Sequence, residues 1–416
     1  MNEEIRTVIK NSIYLLLTKG LTYIFPLFIL GYLIKSLGVV AFGQYSIALT
    51  ICTFVLVLVD YGFSLTTSRE IAKNRECKKT ISTLFLETTL LRLLFTLISY
   101  PFYYFICKFY FDDDLVFISS QIAFSFVIGN ALFPIWFFQG IEKLGFVSIL
   151  SVFSKLLSFF MIVYFVNDED DIGIAFLAQA IPLLLVSVLS NIVILKKYIV
   201  FDLSLVTRSG LLTNIKEGWS VFLSSLSASI LTNSATLILG GITTDNNVGL
   251  YSAAERLAKA ASALYSPITQ SVYPYNCRKF ALSASDGYAS VRKTGAPIIF
   301  LAALGAMLIY ATSGFLQDIL TLNNQSVDIL NVFSVWIFFG VANNVLGIQT
   351  LCASSNARVY SRSFIICACI SLVLIAILSS LYHGLGAAIA ITTGEIMLTA
   401  LLLYFIKKLK QNLLRF

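Results

Sequence analysis

Charge is what this sequence has least of. Asp, Glu, Lys and Arg together make up 12% of its 416 residues, where a soluble domain carries about a quarter. Histidine is nearly missing, with His383 alone in the chain, and a metal site built on imidazole goes with it. The seven cysteines are scattered along the chain. Cys52, Cys107, Cys367 and Cys369 lie in apolar segments, and Cys77, Cys277 and Cys352 at or near segment ends. Neither a disulfide framework nor a zinc site is expected from them. No GxxxxGK[ST] occurs, so the chain is not expected to use ATP by a P-loop. No cofactor and no metal is implied.

Apolar side chains fill the space that charge leaves. They form 58% of the chain, and the mean hydropathy is +0.86. Lipid is the natural solvent for such a composition. A helix needs about 20 apolar residues to cross the hydrocarbon. Twelve runs of that length occur, near 12–34, 44–64, 81–107, 117–139, 147–166, 173–195, 217–240, 250–274, 294–314, 326–351, 362–381 and 386–406. The first is not expected to be a cleaved leader. It is too long, carries Lys19, and no small-residue cleavage site follows it. The expected fold class is therefore an all-α integral membrane protein of twelve transmembrane helices.

Lysine and arginine in the loops set the orientation. With the N-terminus inside, 22 of the 29 basic residues fall in inner segments, among them Arg69, Lys73, Arg75, Lys78 and Lys79. Outer loops hold Lys35 and Lys108 and carry acid instead, at Asp112–Asp114 and Asp168–Asp171. Both termini are thus expected in the cytoplasm, and an even span count agrees. The net charge of +7 is a topology signal with some attraction for anionic lipid. It gives no reason to invoke nucleic acid.

The longest polar break, roughly 196–216, falls between the sixth and seventh spans. It predicts two six-helix lobes, 1–200 and 201–416, around a central cavity. The halves echo each other. Leu37-Gly38 precedes Phe42-Gly43-Gln44-Tyr45-Ser46, and Leu239-Gly240 precedes Val248-Gly249-Leu250-Tyr251-Ser252. Six spans per copy make the repeat parallel, an arrangement suited to alternating access.

Polar residues within the spans mark candidate sites. In span eight, Ser252, Glu255, Lys259, Ser262, Ser266, Thr269 and Tyr273 recur at helical spacing on one face. Such stripes can be glue between helices or the wall of a wet cavity. Ionised groups deep in a span cost more, several kcal/mol unless water or a partner meets them. Arg92, Lys155 and Glu395 are of that kind. Lys19 can instead snorkel to the interface, and Glu255 with Lys259 can neutralise each other at i,i+4. Glu87 and Arg92, five apart, project about 140° from each other, so each needs a different partner. The cationic candidates for binding substrate are Lys19, Arg92, Lys155, Arg256 and Lys259. The candidates for ion coupling or gating are Asp60, Glu87, Glu255 and Glu395. Asp60 itself reads either as a helix-end residue paired with Arg69 or as a gate at the inner mouth.

Together these residues resemble a family. Leu37-Gly38, Phe42 to Ser46, Val59-Asp60-Tyr61-Gly62-Phe63 and Arg69-Glu70-Ile71-Ala72 resemble the opening of the Wzx-type O-antigen flippases. Pro134 to Lys143 and Val248 to Glu255 match that pattern further along. The resemblance implies a member of the multidrug/oligosaccharidyl-lipid/polysaccharide exporter superfamily in a bacterial inner membrane. It implies an undecaprenyl-diphosphate-linked oligosaccharide as substrate, a proton or sodium ion as coupling ion, and a cationic central cavity. It allows an O-antigen polymerase and a chain-length regulator as partner proteins. A flippase for another lipid-linked glycan (capsule, enterobacterial common antigen, lipid II) and a cation-coupled drug exporter stay open. A membrane-embedded enzyme of the same pathway would need a sizeable extramembrane loop, and no outer loop exceeds roughly a dozen residues.

Overall fold

Lipid offers the backbone no hydrogen-bonding partner, so long apolar segments must close their bonds within helices. The computed structural model describes the backbone of residues 2–320 and 323–413. It describes the side chains of 28–315, 323–409 and 411, apart from Leu144, Leu231, Pro267, Gln270, Ser271 and Pro274. Among these residues there is helix and no strand.

In chain order the helices are α1 (Asn2–Asp60), α2 (Phe63–Lys73), α3 (Lys78–Tyr110), α4 (Asp114–Leu132), α5 (Ile135–Gly140), α6 (Leu144–Phe165) and α7 (Ile172–Lys197). Then come α8 (Arg208–Ile242), α9 (Asp245–Ala263), α10 (Ser266–Leu282), α11 (Ala284–Leu320), α12 (Asn324–Asn343) and α13 (Ala357–Leu413). Eight stretches among the described residues are long and apolar enough to cross a membrane, and nine if the bent α8 counts as one span. All twelve expected spans fall mainly on helix; turns at Tyr61-Gly62, Phe133-Pro134 and Leu264-Tyr265 interrupt the second, fourth and eighth. The difference in count has three sources. α1 carries two expected spans either side of a break at Gly38 (φ 72), and α13 carries two either side of His383 (φ 52). The eighth span is not the single rod that its polar face suggested, because α9 stops at Ala263 and α10 starts at Ser266.

The acid of the loops expected outside starts helices. Asp113 accepts bonds from the Leu115 and Val116 amides at 2.9 and 3.0 Å, satisfying donors that a helix start leaves open. Asp168 accepts from the Asp170 amide at 3.1 Å and does the same for the turn ahead of α7. Pro134 ends α4 by pushing Phe133 out of the helical region (φ −77, ψ 113).

Contacts divide the chain into two compact units, Met1–Asn233 and Ser234–Phe416. In the first, α4 and α6 pack on α7, α1 packs on α3, α4 and α6, and α2 packs on α5. Ile71 of α2, Phe85 of α3, Ile194 of α7 and Trp136, Phe137 and Phe138 of α5 form one buried cluster. Phe85 stacks on Trp136 with ring centres 5.7 Å apart and meets Phe137 edge-on at 5.3 Å. In the second unit, α12 is central and packs on α9, α11 and α13. It runs into a π-helical stretch, Asn344–Cys352, whose wider turn lets Thr350 Oγ1 donate to the Val345 carbonyl five residues back at 2.9 Å. Such stretches inside α-helices are frequent at functional sites.

Candidate functional site

α1 ends at Asp60, and the chain turns through Tyr61 (φ 46) and Gly62 (φ 84) before α2 begins. That turn brings the Asp60 carboxylate to α3, where its Oδ1 lies 3.8 Å from Arg92 Nη2. Ser64 Oγ also donates to Asp60. Arg69, expected beside Asp60, instead meets Glu70 at 3.3 Å and Glu217 at 4.0 Å. The backbone reversal at Tyr61-Gly62 separates the two, a turn that helical spacing does not foresee.

Arg92 is 6% exposed. Its Nη2 donates to the Asn130 carbonyl at 3.0 Å, while its Nε has no hydrogen-bond partner among the described residues. A buried guanidinium with one N–H unmatched and a carboxylate only within ion-pair distance is incompletely compensated. Such a group can bind an added anion without first breaking a strong bond.

Glu87, on the same helix, turns away from Arg92. It is 3% exposed and takes bonds from Asn214 Nδ2 at 3.0 Å, from the Thr207 amide at 3.2 Å and from Thr207 Oγ1 at 3.4 Å. Its carboxylate therefore sits at the amino end of α8, where helix amides and the macrodipole favour negative charge. Gly210 makes this approach possible, since a side chain there would fall on the carboxylate.

The remaining candidates lie on several helices. Lys155 and Arg256 are half-buried on α6 and α9. Glu255, 7% exposed, binds Lys259 Nζ at 3.1 Å and accepts from Tyr251 OH at 3.1 Å and Thr236 Oγ1 at 3.4 Å. The i,i+4 pair is therefore formed, with a hydroxyl shell around the acid. Glu395 on α13 takes Asn343 Nδ2 at 2.6 Å, and Asn343 Oδ1 in turn accepts from Thr399 Oγ1 at 2.7 Å. The Lys19 side chain lies outside the described residues. Asp60 and Arg92 thus come together in the first unit, and Glu255 and Lys259 in the second.

Two polar groups escaped the reading of the sequence. Asn343 holds Glu395, as above. Asn276 on α10 is fully buried, donates to Gln349 Oε1 at 3.1 Å and accepts from Ser290 Oγ at 2.9 Å. Gln349 Nε2 donates on to the Thr269 carbonyl at 2.8 Å, tying the π-helical stretch to α10. The available signal was amides inside apolar runs, Asn343 and Gln349 among them, overlooked beside the charged residues.

The sequence and the arrangement of helices are similar to those of known proteins. Residues 8–279 match the family model described as "Polysaccharide biosynthesis protein", and the chain belongs to that family. Over 99% of both chains it is 27% identical to a protein of Escherichia coli (strain K12) named "Putative O-antigen transporter". A Shigella dysenteriae protein of the same name is 26% identical over 96% of this chain and 100% of its own. The fold is that of an inward-facing multidrug resistance MATE family transporter of the MOP superfamily (TM-score 0.74, 13% identity, 92% and 94% of the two chains). It is also similar to that of the lipid II flippase MurJ in an inward closed conformation (TM-score 0.69, 14% identity, 95% and 87%). Both sequence relatives carry a transporter's name and neither an enzyme's.

Proposed function

We propose that the chain moves an undecaprenyl-diphosphate-linked O-antigen repeat unit from the cytoplasmic to the periplasmic leaflet of the inner membrane, by alternating access driven by an ion gradient. The observation that carries this reading is the match, end to end, to two proteins named as O-antigen transporters. The chemistry supports it. A diphosphate bears at least two negative charges, and moving it bare through hydrocarbon is prohibitive. Arg92, buried and with an N–H to spare, suits a stage in that passage. Lys155, Arg256 and Lys259 are further cations along the spans, and the polyprenyl tail can stay in lipid throughout. Glu395, held by an amide in place of a cation, suits a group that gains and loses a proton or holds a sodium ion during the cycle.

The test is complementation of strains that lack an O-antigen flippase, with lipid-linked repeat units assayed at the outer leaflet. Wild type is expected to restore them, and Arg92→Ala to fail at normal expression. Full rescue by Arg92→Ala removes that residue from the passage. Rescue only of a strain lacking a lipid II flippase would move the substrate to another lipid-linked glycan.

A further inference from the structure

The second unit contains a cavity of about 670 Å³ where the end of α10, the start of α11, the turn after the π-helical stretch and the last turns of α13 meet. Phe280 and Leu409 give it apolar wall, and Tyr288, Ser354 and Asn356 give it hydroxyl and amide groups. The turn on its rim is closed by hydrogen bonds. Ser355 is held at φ 64, a left-handed conformation uncommon for serine. The Asn356 amide donates to the Leu351 carbonyl at 2.7 Å, and Asn356 Nδ2 donates to the Ser354 carbonyl at 2.9 Å. Strain of this sort, on the order of 1–3 kcal/mol, persists only where the surroundings enforce it, and it clusters at ligand clamps.

Cations adjoin the lining residues in sequence in three separate stretches. Arg278 and Lys279 stand between Cys277 and Phe280, Arg358 is two residues past Asn356, and Lys407 and Lys408 directly precede Leu409. Arg278, Arg358, Lys407 and Lys408 are exposed. The acid of this region, Asp286, is engaged by Ser283 Oγ at 2.8 Å. We propose that the cavity holds the headgroup of an anionic phospholipid from the leaflet it faces, its phosphate met by the flanking cations. The glycerol and first acyl carbons would run along Phe280 and Leu409. Basic residues beside pockets between membrane helices favour such headgroups. This inference does not depend on what the protein transports.

Cys277 and Cys352 line the cavity and report on its occupancy. Maleimide labelling of the full chain is followed peptide by peptide in phosphatidylglycerol and phosphatidylcholine nanodiscs. Exposed Cys77, in another basic segment, serves as internal control for surface charge and local pH. Relative to Cys77, labelling of Cys277 and Cys352 is expected to fall about fivefold in phosphatidylglycerol, the factor for one basic residue near an anionic leaflet. Arg278→Ala with Arg358→Ala is expected to abolish that protection. Soluble glycerol 3-phosphate added to phosphatidylcholine discs is expected to give none. Equal labelling of wild type in the two lipids overturns the proposal. Protection by glycerol 3-phosphate alone also overturns it, in favour of a free phosphate ester.

Discussion

Two ionisable residues of α3 do different work although only five positions separate them. Arg92 faces Asp60 and keeps a donor unused, whereas Glu87 spends its carboxylate on the start of α8. Hydrogen bonds to a charged group contribute about 1.5–3 kcal/mol each. Glu87→Gln is therefore expected to lower the thermal stability of purified protein by about 2 kcal/mol, read from unfolding in detergent. Arg92→Gln should leave stability close to wild type or above it, because it removes an undercompensated buried charge. Glu395→Gln is expected to blunt dependence on a proton or sodium gradient in reconstituted vesicles, while expression stays normal. In the loops, Arg75 Nη2 lies 2.5 Å from Glu142 Oε1, and that bond holds the Glu142 carboxyl below its ordinary range. The folded value lies below the unfolded one, so the pair's contribution is complete above the ordinary carboxylate range. It fades as pH falls through the depressed value. The stability difference between wild type and Glu142→Gln should accordingly shrink on acidification, and a constant difference would assign the effect to packing. That Glu87, Arg92 and Glu255 lie inside was legible in the sequence, because so few charges interrupt the apolar runs; Lys155, Arg256 and Glu395, read the same way, are half-buried. Partners were legible where one helix supplies both, as for Glu255 and Lys259, and not across helices. Asp60 reaches Arg92 in place of Arg69 through tertiary packing, which the spacing along one helix does not encode.

Helices as elements were the most readable part, since a run of about 20 apolar residues can satisfy its backbone in lipid only as helix. The breaks were harder to see. Gly62 shows why: its φ of 84 suits glycine, and Val221 of α8 sits where a side chain would go, with its Cβ 2.6 Å from that point. Tyr61 stacks on Phe222 beside it, ring centres 4.8 Å apart. The left-handed backbone alone costs a larger residue about 1–2 kcal/mol, and the collision with Val221 adds to that. Gly62→Ala should destabilise the protein, and Val221→Ala in the same chain should recover only the steric share. Recovery to wild type would mean that the backbone conformation is not strained. The repeated Gly-x-Tyr-Ser, read as a trace of duplication, also has a packing role in both copies. Tyr45 and Tyr251 are each buried, Tyr45 accepting from Gln179 Nε2 at 2.6 Å and Tyr251 donating to Glu255. The π-helical stretch left no hydrophobic signature, because its extra residue per turn changes hydrogen bonding more than polarity.

For the whole molecule, loop charge predicts a cytoplasmic position for residue 205 and for both termini. Reporter fusions at 205 should be active only as cytoplasmic reporters, and an external signal would invert the topology. The boundary between the two units falls at Asn233, inside α8, while the polar break in the sequence ends some residues earlier. The reason is local: Thr207, Asn214, Gly218 and Val221 all meet α1–α3 or the turn between them, so the first part of α8 belongs with what precedes it. The polar break is consequently clasped within the first unit, not slack. Severing the chain between Val200 and Leu205, and making the two pieces as separate polypeptides, should still yield an active transporter. The later piece carries at its own front end the surface by which it docks on the earlier one.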